Sequence, residues 1–111
     1  MPPSGIEDRF EFFKQILGPM FARDLTGHGT NRWCVRWMDH PEADAVVDAL
    51  WRSWEELRSD VPMGMATWLR DFAYPLLGRL FDPQGTFVGC TTHKEGHDPD
   101  RIMALNVVQP D

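Results

Sequence analysis

The sequence predicts a mainly α-helical protein of three to four helices with a small C-terminal β hairpin, or an α+β protein if that hairpin is substantial. Apolar residues recur at intervals of three and four through most of residues 6–80, which is the period of an α-helix. A run rich in β-branched residues, TFVGCTT, follows the turn-forming residues DPQG, and such a run favours a strand. The helical period and the later β-branched run therefore predict that helices come first in the chain and strands last.

The first predicted helix starts near Ile6, because Ser4 and Glu7 have the spacing of a capping box. Gly18-Pro19 is expected to kink or interrupt this helix, since proline lacks the amide hydrogen that a helix needs. The apolar face that predicts the helix consists of Ile6, Phe10, Phe13 and Leu17.

The clearest predicted helix covers roughly residues 41–58. Pro41 suits the first helical position, with His40 or Asp39 as the cap. One face carries Ala43, Val47, Leu50, Trp54 and Leu57.

A further helix is predicted at about residues 64–80, where Pro75 indicates a kink near Ala73 or Tyr74. Its apolar residues are Met65, Trp68, Leu69, Phe72, Leu76 and Leu80. We expect the core to include Leu50, Trp54, Trp68 and Phe72, in contact across two helices.

The last part of the chain predicts the hairpin, with TFVGCTT and RIMALNVV as strands and HKEGHDPD as the loop between them. A length of 111 residues fits one domain. Within it we predict a flexible tail at residues 1–5, a helical body at 6–82 and a β-rich segment at 83–111.

The composition excludes several classes of protein. With 17 acidic and 11 basic residues the net charge is −6, so nonspecific binding of duplex DNA is not expected, because that binding needs a positive face. No apolar run is long enough to span a membrane, and the N-terminus lacks the regions of a signal peptide. We therefore expect a cytoplasmic protein that does not bind membranes.

The stretch NRWCVRWMDHPEAD, residues 31–44, interleaves arginine with tryptophan. These two residue types dominate the binding energy of many protein interfaces. We expect Trp33 or Trp37 to turn inward as an anchor and the arginines to point outward. The hypothetical partner-binding residues are Arg32, Arg36, Trp37, Met38 and Trp51.

The two cysteines, Cys34 and Cys90, are interpreted first as inert reduced thiols, with no metal and no cofactor. A disulfide between them or a reactive thiol are alternatives. Another alternative is a tetrahedral zinc site, since Cys90 and His93 form a short-spaced pair of ligands. The alternative zinc ligands are Cys34, His40, Cys90, His93 and His97.

Two blocks of this sequence resemble an uncharacterised actinobacterial and actinophage family, domain of unknown function 4913. In the first block the matching residues are Trp33, Cys34, Trp37, His40, Pro41, Glu42, Ala43, Leu50, Trp51, Trp54, Glu55 and Leu57. In the second they are Gly64, Met65, Trp68, Arg70, Asp71, Leu80, Asp82, Pro83, Gly85, Phe87 and Cys90. The chain departs from the family at residues 73–75, where the family carries a polar segment, often with histidine. The resemblance implies a setting on phages, plasmids and integrated elements, and it implies no activity.

The expected function is that of a non-enzymatic protein-protein interaction protein of a phage or mobile element, acting on a host or element protein. No phosphate-binding glycine loop, nucleophile elbow or HExxH motif is present. The alternative is a zinc-stabilised, nucleic-acid-associated accessory protein of a mobile element. The sequence leaves open whether the protein forms a homo-oligomer.

Overall fold

The fold is mainly helical in a computed structural model that describes residues 3–21, 32–60 and 62–88. The central helix is Pro41–Leu57, close to the predicted bounds. A single 3₁₀ turn, Trp37–Asp39, leads into it. Thr86, Phe87 and Val88, which were predicted to begin a strand, lie in turns. The rest of the predicted hairpin lies outside the described residues.

Two further helices each combine α-helical and π-helical turns. The first helix, residues 9–20, consists of Arg9–Phe12, the π-helical Phe13–Leu17, and Gly18–Met20. The third helix, residues 64–81, consists of Gly64–Trp68, the π-helical Leu69–Ala73, and Tyr74–Phe81. No helix in the described ranges has the length and apolarity needed to cross a membrane.

The first helix starts later than the sequence indicates. Its N-cap is Asp8, whose Oδ1 accepts a hydrogen bond from the Glu11 amide at 2.8 Å. Ser4 instead accepts from the Ile6 amide at 3.0 Å. Gly5, at φ +79°, turns the backbone out of the helical region between the two. The predicted capping box at Ser4 is therefore wrong, because the helix cannot pass through that conformation.

Each π-helical turn comes just before a proline, and the helix continues through that proline. The Gly18 amide donates to the Phe13 carbonyl, and the Tyr74 amide donates to the Leu69 carbonyl, five residues back in both cases. The next residue is a proline, which has no amide hydrogen and whose ring crowds the carbonyl four residues back. A wider turn relieves that crowding. The expected kink or interruption at Gly18-Pro19 is not an interruption, and the irregularity expected there and near Ala73 is a π turn in both helices.

The π turns also shift which residues face the core. A π turn adds one residue, so buried positions on either side of it lie five apart instead of three or four. In the third helix burial passes from Trp68 to Ala73 and then to Leu77 and Leu80. Phe72 is 36% exposed, so its predicted place in the core is wrong. In the first helix the buried Phe12 and Leu17 likewise lie five residues apart, and Phe10, which comes before the π turn, is exposed.

The helices meet around a cluster of aromatic rings. Phe12 packs against Trp54 at a ring-centroid distance of 5.4 Å and edge-on against Trp68 at 6.3 Å. The buried Trp68 indole N–H donates to the Leu50 carbonyl and to Ser53 Oγ, both at 3.1 Å. This satisfies the polar atom of the largest core side chain. The predicted burial of Leu50, Trp54 and Trp68 is confirmed.

A pair of substitutions tests the register that the π turn imposes on the third helix. Ala73→Leu should reduce the free energy of unfolding by about 1–3 kcal/mol, because it overpacks a fully buried site. Phe72→Ala should cost no more than about 1 kcal/mol, because its ring is partly in solvent. Urea denaturation followed by tryptophan fluorescence measures both. A regular α-helix would reverse the order, with Phe72→Ala costing about 3–5 kcal/mol.

Candidate functional site

The connector, residues 32–40, lies between the first and central helices and is anchored by its two tryptophans. The Trp33 ring stacks on Phe13 with centroids 5.4 Å apart and an interplanar angle of 5°. The Trp37 ring meets the same Phe13 at 5.1 Å. Both tryptophans are buried, so the prediction that one of them turns inward is confirmed, and the second does so as well.

Burial of Trp37 corrects the predicted partner-binding set. Trp37 is only 3% exposed, so in this fold it supports the surface and does not belong to it. The residues on either side of it, Arg36 and Met38, are exposed. The reason is the 3₁₀ turn at Trp37–Asp39, which directs successive side chains to different sides.

The outward side chains of the connector form a small mixed surface. Val35 is 46% exposed and Met38 is 43% exposed. Arg36 Nε pairs with Asp39 Oδ2 at 2.8 Å, as expected for an outward arginine. Arg32 is exposed, and its backbone amide donates to the Phe81 carbonyl at 2.8 Å. We call this the connector surface, and its members are Arg32, Val35, Arg36 and Met38.

Trp51, the remaining predicted partner-binding residue, is half-buried on the central helix. The Arg52 guanidinium lies 5.5 Å from the centre of its ring, within the range of a cation-π contact. Its indole N–H is buried and has no acceptor within the described part of the chain.

The two sequence blocks that carry the family resemblance meet at the start of the central helix. His40 is the N-cap residue, and its buried ring lies edge-on to Phe87 with centroids 5.0 Å apart. Phe87 also contacts Trp33 at 4.8 Å. Thr86 Oγ1 donates a hydrogen bond to Glu42 Oε1. The turn at residues 82–88 thus packs onto the first turn of the central helix. We call this turn and its contacts the clasp.

A close backbone approach within this clasp explains Gly85. Its amide donates to the Asp82 carbonyl at 2.8 Å. A Cβ at this position would lie 2.7 Å from the Arg79 carbonyl oxygen, closer than real Cβ contacts allow. The motif residues in this turn therefore have a structural role.

The zinc alternative is only partly within the described residues. Cys34 and His40 are both buried in the connector. Cys90, His93 and His97 lie outside the described residues. Among the residues that the structure does describe, no group of three or more His, Cys, Asp or Glu side chains is placed to hold a metal ion. Zinc ligation thus stays a prediction.

Most arginines in the described ranges are neutralised by neighbours. Pairing with a nearby carboxylate removes the net positive field that attracts nucleic acid phosphates. Hydrogen bonding from Arg70 also holds the pKa of Asp71 below its usual value. The ion pairs are Arg9–Asp44, Arg36–Asp39, Arg52–Asp48, Arg58–Glu55 and Arg70–Asp71.

Sequence reasoning missed two exposed aromatic side chains on the third helix. Tyr74 is 57% exposed and Phe72 is 36% exposed, and because they stand two residues apart they lie on different sides of the helix. Pro75, Gly78 and Arg79 are exposed on the same helix. The available signal was Pro75, which indicates an irregularity in the helix but not the π turn that shifts the buried face.

Removing the Thr86 hydroxyl tests the clasp. Thr86→Val should lower the free energy of unfolding by about 1–2 kcal/mol, since a hydrogen bond to a carboxylate is lost at nearly constant volume. Thr67→Val is the matched control, because Thr67 lies on the third helix and no hydrogen bond of its side chain is found among the described residues. Urea denaturation of both variants decides the matter. Equal costs would mean that the bond to Glu42 adds no stability.

The family model for "Domain of unknown function (DUF4913)" matches residues 7–109. No curated protein and no solved structure matches the chain. The match spans both sequence blocks and all three described helices. The chain therefore belongs to the family described as a domain of unknown function (DUF4913).

Proposed function

We propose that this protein is a non-enzymatic interaction protein that binds another protein through the connector surface. One observation carries the proposal. Val35 and Met38 are exposed apolar side chains whose neighbours Cys34 and Trp37 are buried. The surface therefore presents apolar groups on a backbone that the core holds in place.

Anchoring of this kind favours binding, because little conformational freedom remains to be lost on association. Trp33 and Trp37 share the Phe13 ring, and the Arg32 amide is bonded to the third helix through Phe81. The connector is thus fixed by contacts to two helices. An exposed apolar side chain on such a backbone is typical of the centre of an interface.

The arginines define the chemistry of the partner. Arg36 already pairs with Asp39 in an exposed position, where an ion pair contributes little stability and exchanges readily. A carboxylate of the partner can compete for the same guanidinium, which is planar and can donate two parallel hydrogen bonds to one carboxylate. We expect a partner with an apolar centre and acidic groups at the rim.

The biological setting is part of the proposal. The family resemblance supports a protein of a phage or mobile element, in an actinobacterial and cytoplasmic context, acting on a host or element protein. The nucleic-acid alternative receives less support, because Trp33 and Trp37 are buried. They therefore offer no exposed platform on which bases can stack.

Matched variants test the connector surface by affinity capture from cells that naturally express the protein, followed by mass spectrometry. Met38→Asp should reduce capture of the partner by about tenfold or more, since a charge placed in an apolar contact costs more than 1.4 kcal/mol. Arg32→Ala combined with Arg36→Ala should weaken capture while the protein stays folded. Met63→Asp is the control, because Met63 is also exposed but lies at the start of the third helix.

Different results would overturn the proposed function and the proposed binding surface. A wild-type protein that captures no specific protein overturns the proposed function. A partner that is lost with Met63→Asp and retained with Met38→Asp leaves protein binding intact and rejects the connector surface. Circular dichroism of each variant separates loss of binding from loss of folding.

A further inference from the structure

The outer face of the third helix carries an aromatic side chain, Phe72, that a regular α-helix would have buried. The π turn at Leu69–Ala73 places Ala73 in the core and turns Phe72 outward. Tyr74, two residues on, is exposed on another side of the helix, with its ring edge-on to the buried Phe21 at 5.5 Å. π turns are often associated with functional positions, and the outer face that this one forms consists of the exposed residues Asp71, Phe72, Pro75, Gly78 and Arg79.

Gly78 lies on the same face and leaves the backbone bare. It sits inside the helical stretch Tyr74–Phe81, where glycine is less favourable than alanine. An added Cβ would meet nothing within 4 Å, so no contact inside the described structure explains the glycine. The missing side chain leaves a notch one turn beyond Tyr74 and Pro75.

Opposite charges flank this notch. Asp71 is exposed before Pro75 and pairs with Arg70 of the same helix at 2.8 Å, and Arg79 is exposed after it. An exposed ion pair contributes little stability and exchanges readily, so an arginine of another chain can compete for the Asp71 carboxylate. Arg79 forms no ion pair within the described ranges, unlike Arg70 on the same helix. Asp71 and Arg79 each stand four residues from Pro75, while Phe72 and Gly78 each stand three residues from it.

We propose that this face binds the same face of a second copy of the chain, with the two third helices antiparallel and crossing at Pro75. A two-fold axis there sets Asp71 of each copy against Arg79 of the other. It also sets Phe72 of each copy over the bare backbone at Gly78 of the other. Both contacts occur twice, as an isologous interface requires. This inference goes beyond the proposed function and does not involve the connector surface.

The dimer is expected to be weak and reversible. One helix face from each copy buries less area than the 1,200–2,000 Å² or so of a stable interface. The net charge of −6 on each copy adds repulsion, which salt at about 0.15 M screens beyond roughly 8 Å. Salt screens close pairs such as Asp71 with Arg79 less. At this salt concentration the attraction within these pairs therefore outweighs the repulsion between the net charges of the two copies.

Charge reversal tests the pairing on the full chain by sedimentation equilibrium over a range of protein concentrations. Arg79→Glu and Asp71→Arg should each raise the dimer dissociation constant about tenfold or more, because each sets like charges opposite one another. The double variant should restore the wild-type constant. Arg52→Glu is the control, since Arg52 is an exposed, ion-paired arginine on the central helix.

Gly78→Leu provides an independent arm, because leucine favours a helix but fills the notch. It should raise the thermal midpoint of the monomer and abolish the dimer. Wild-type protein that stays monomeric up to its solubility limit overturns the proposal. So does a dimer that is insensitive to Arg79→Glu and Gly78→Leu, or a folded double variant that fails to recover dimerisation.

Discussion

Prolines inside helices are the constraint on which the rest of this structure depends. Pro19 and Pro75 each remove an amide from a helix that nevertheless continues. The chain accommodates both with a π turn just before the proline. Each turn inserts one residue into the helical repeat, and every side chain beyond it changes face. In the third helix the core thereby receives Ala73, and the surface receives Phe72.

A second aromatic cluster links the connector to both ends of the helical body. Phe13 comes from the π turn of the first helix and contacts Trp33 and Trp37. Trp33 in turn contacts Phe87 of the clasp. Rings of this size bury large areas and fix mutual orientation. The segment that looked like a site in the sequence is therefore held by three separate parts of the chain.

In this packing the buried residues of the connector hold its backbone, and the exposed residues are left to contact a partner. The tryptophans and His40 of the connector lie within the core and hold its backbone, while Val35, Arg36 and Met38 face outward. The third helix repeats the arrangement, with Trp68, Ala73 and Leu77 buried and Phe72 exposed on its outer face. In both places an exposed apolar group rests on a rigid base, which is what binding a partner without large loss of entropy requires.

The sequence alone determined the helical class, the bounds of the central helix, the burial of Leu50, Trp54 and Trp68, and the family. These follow from local periodicity and motif spacing, which neighbouring residues specify without distant contacts. Only the tertiary structure decided that Trp37 is buried and Phe72 exposed, and that His40-Pro41-Glu42 receives the 82–88 turn. Whether a proline ends a helix or is absorbed by a π turn depends on what packs against both halves of that helix. That packing involves residues far apart in the chain, so a local pattern cannot specify it.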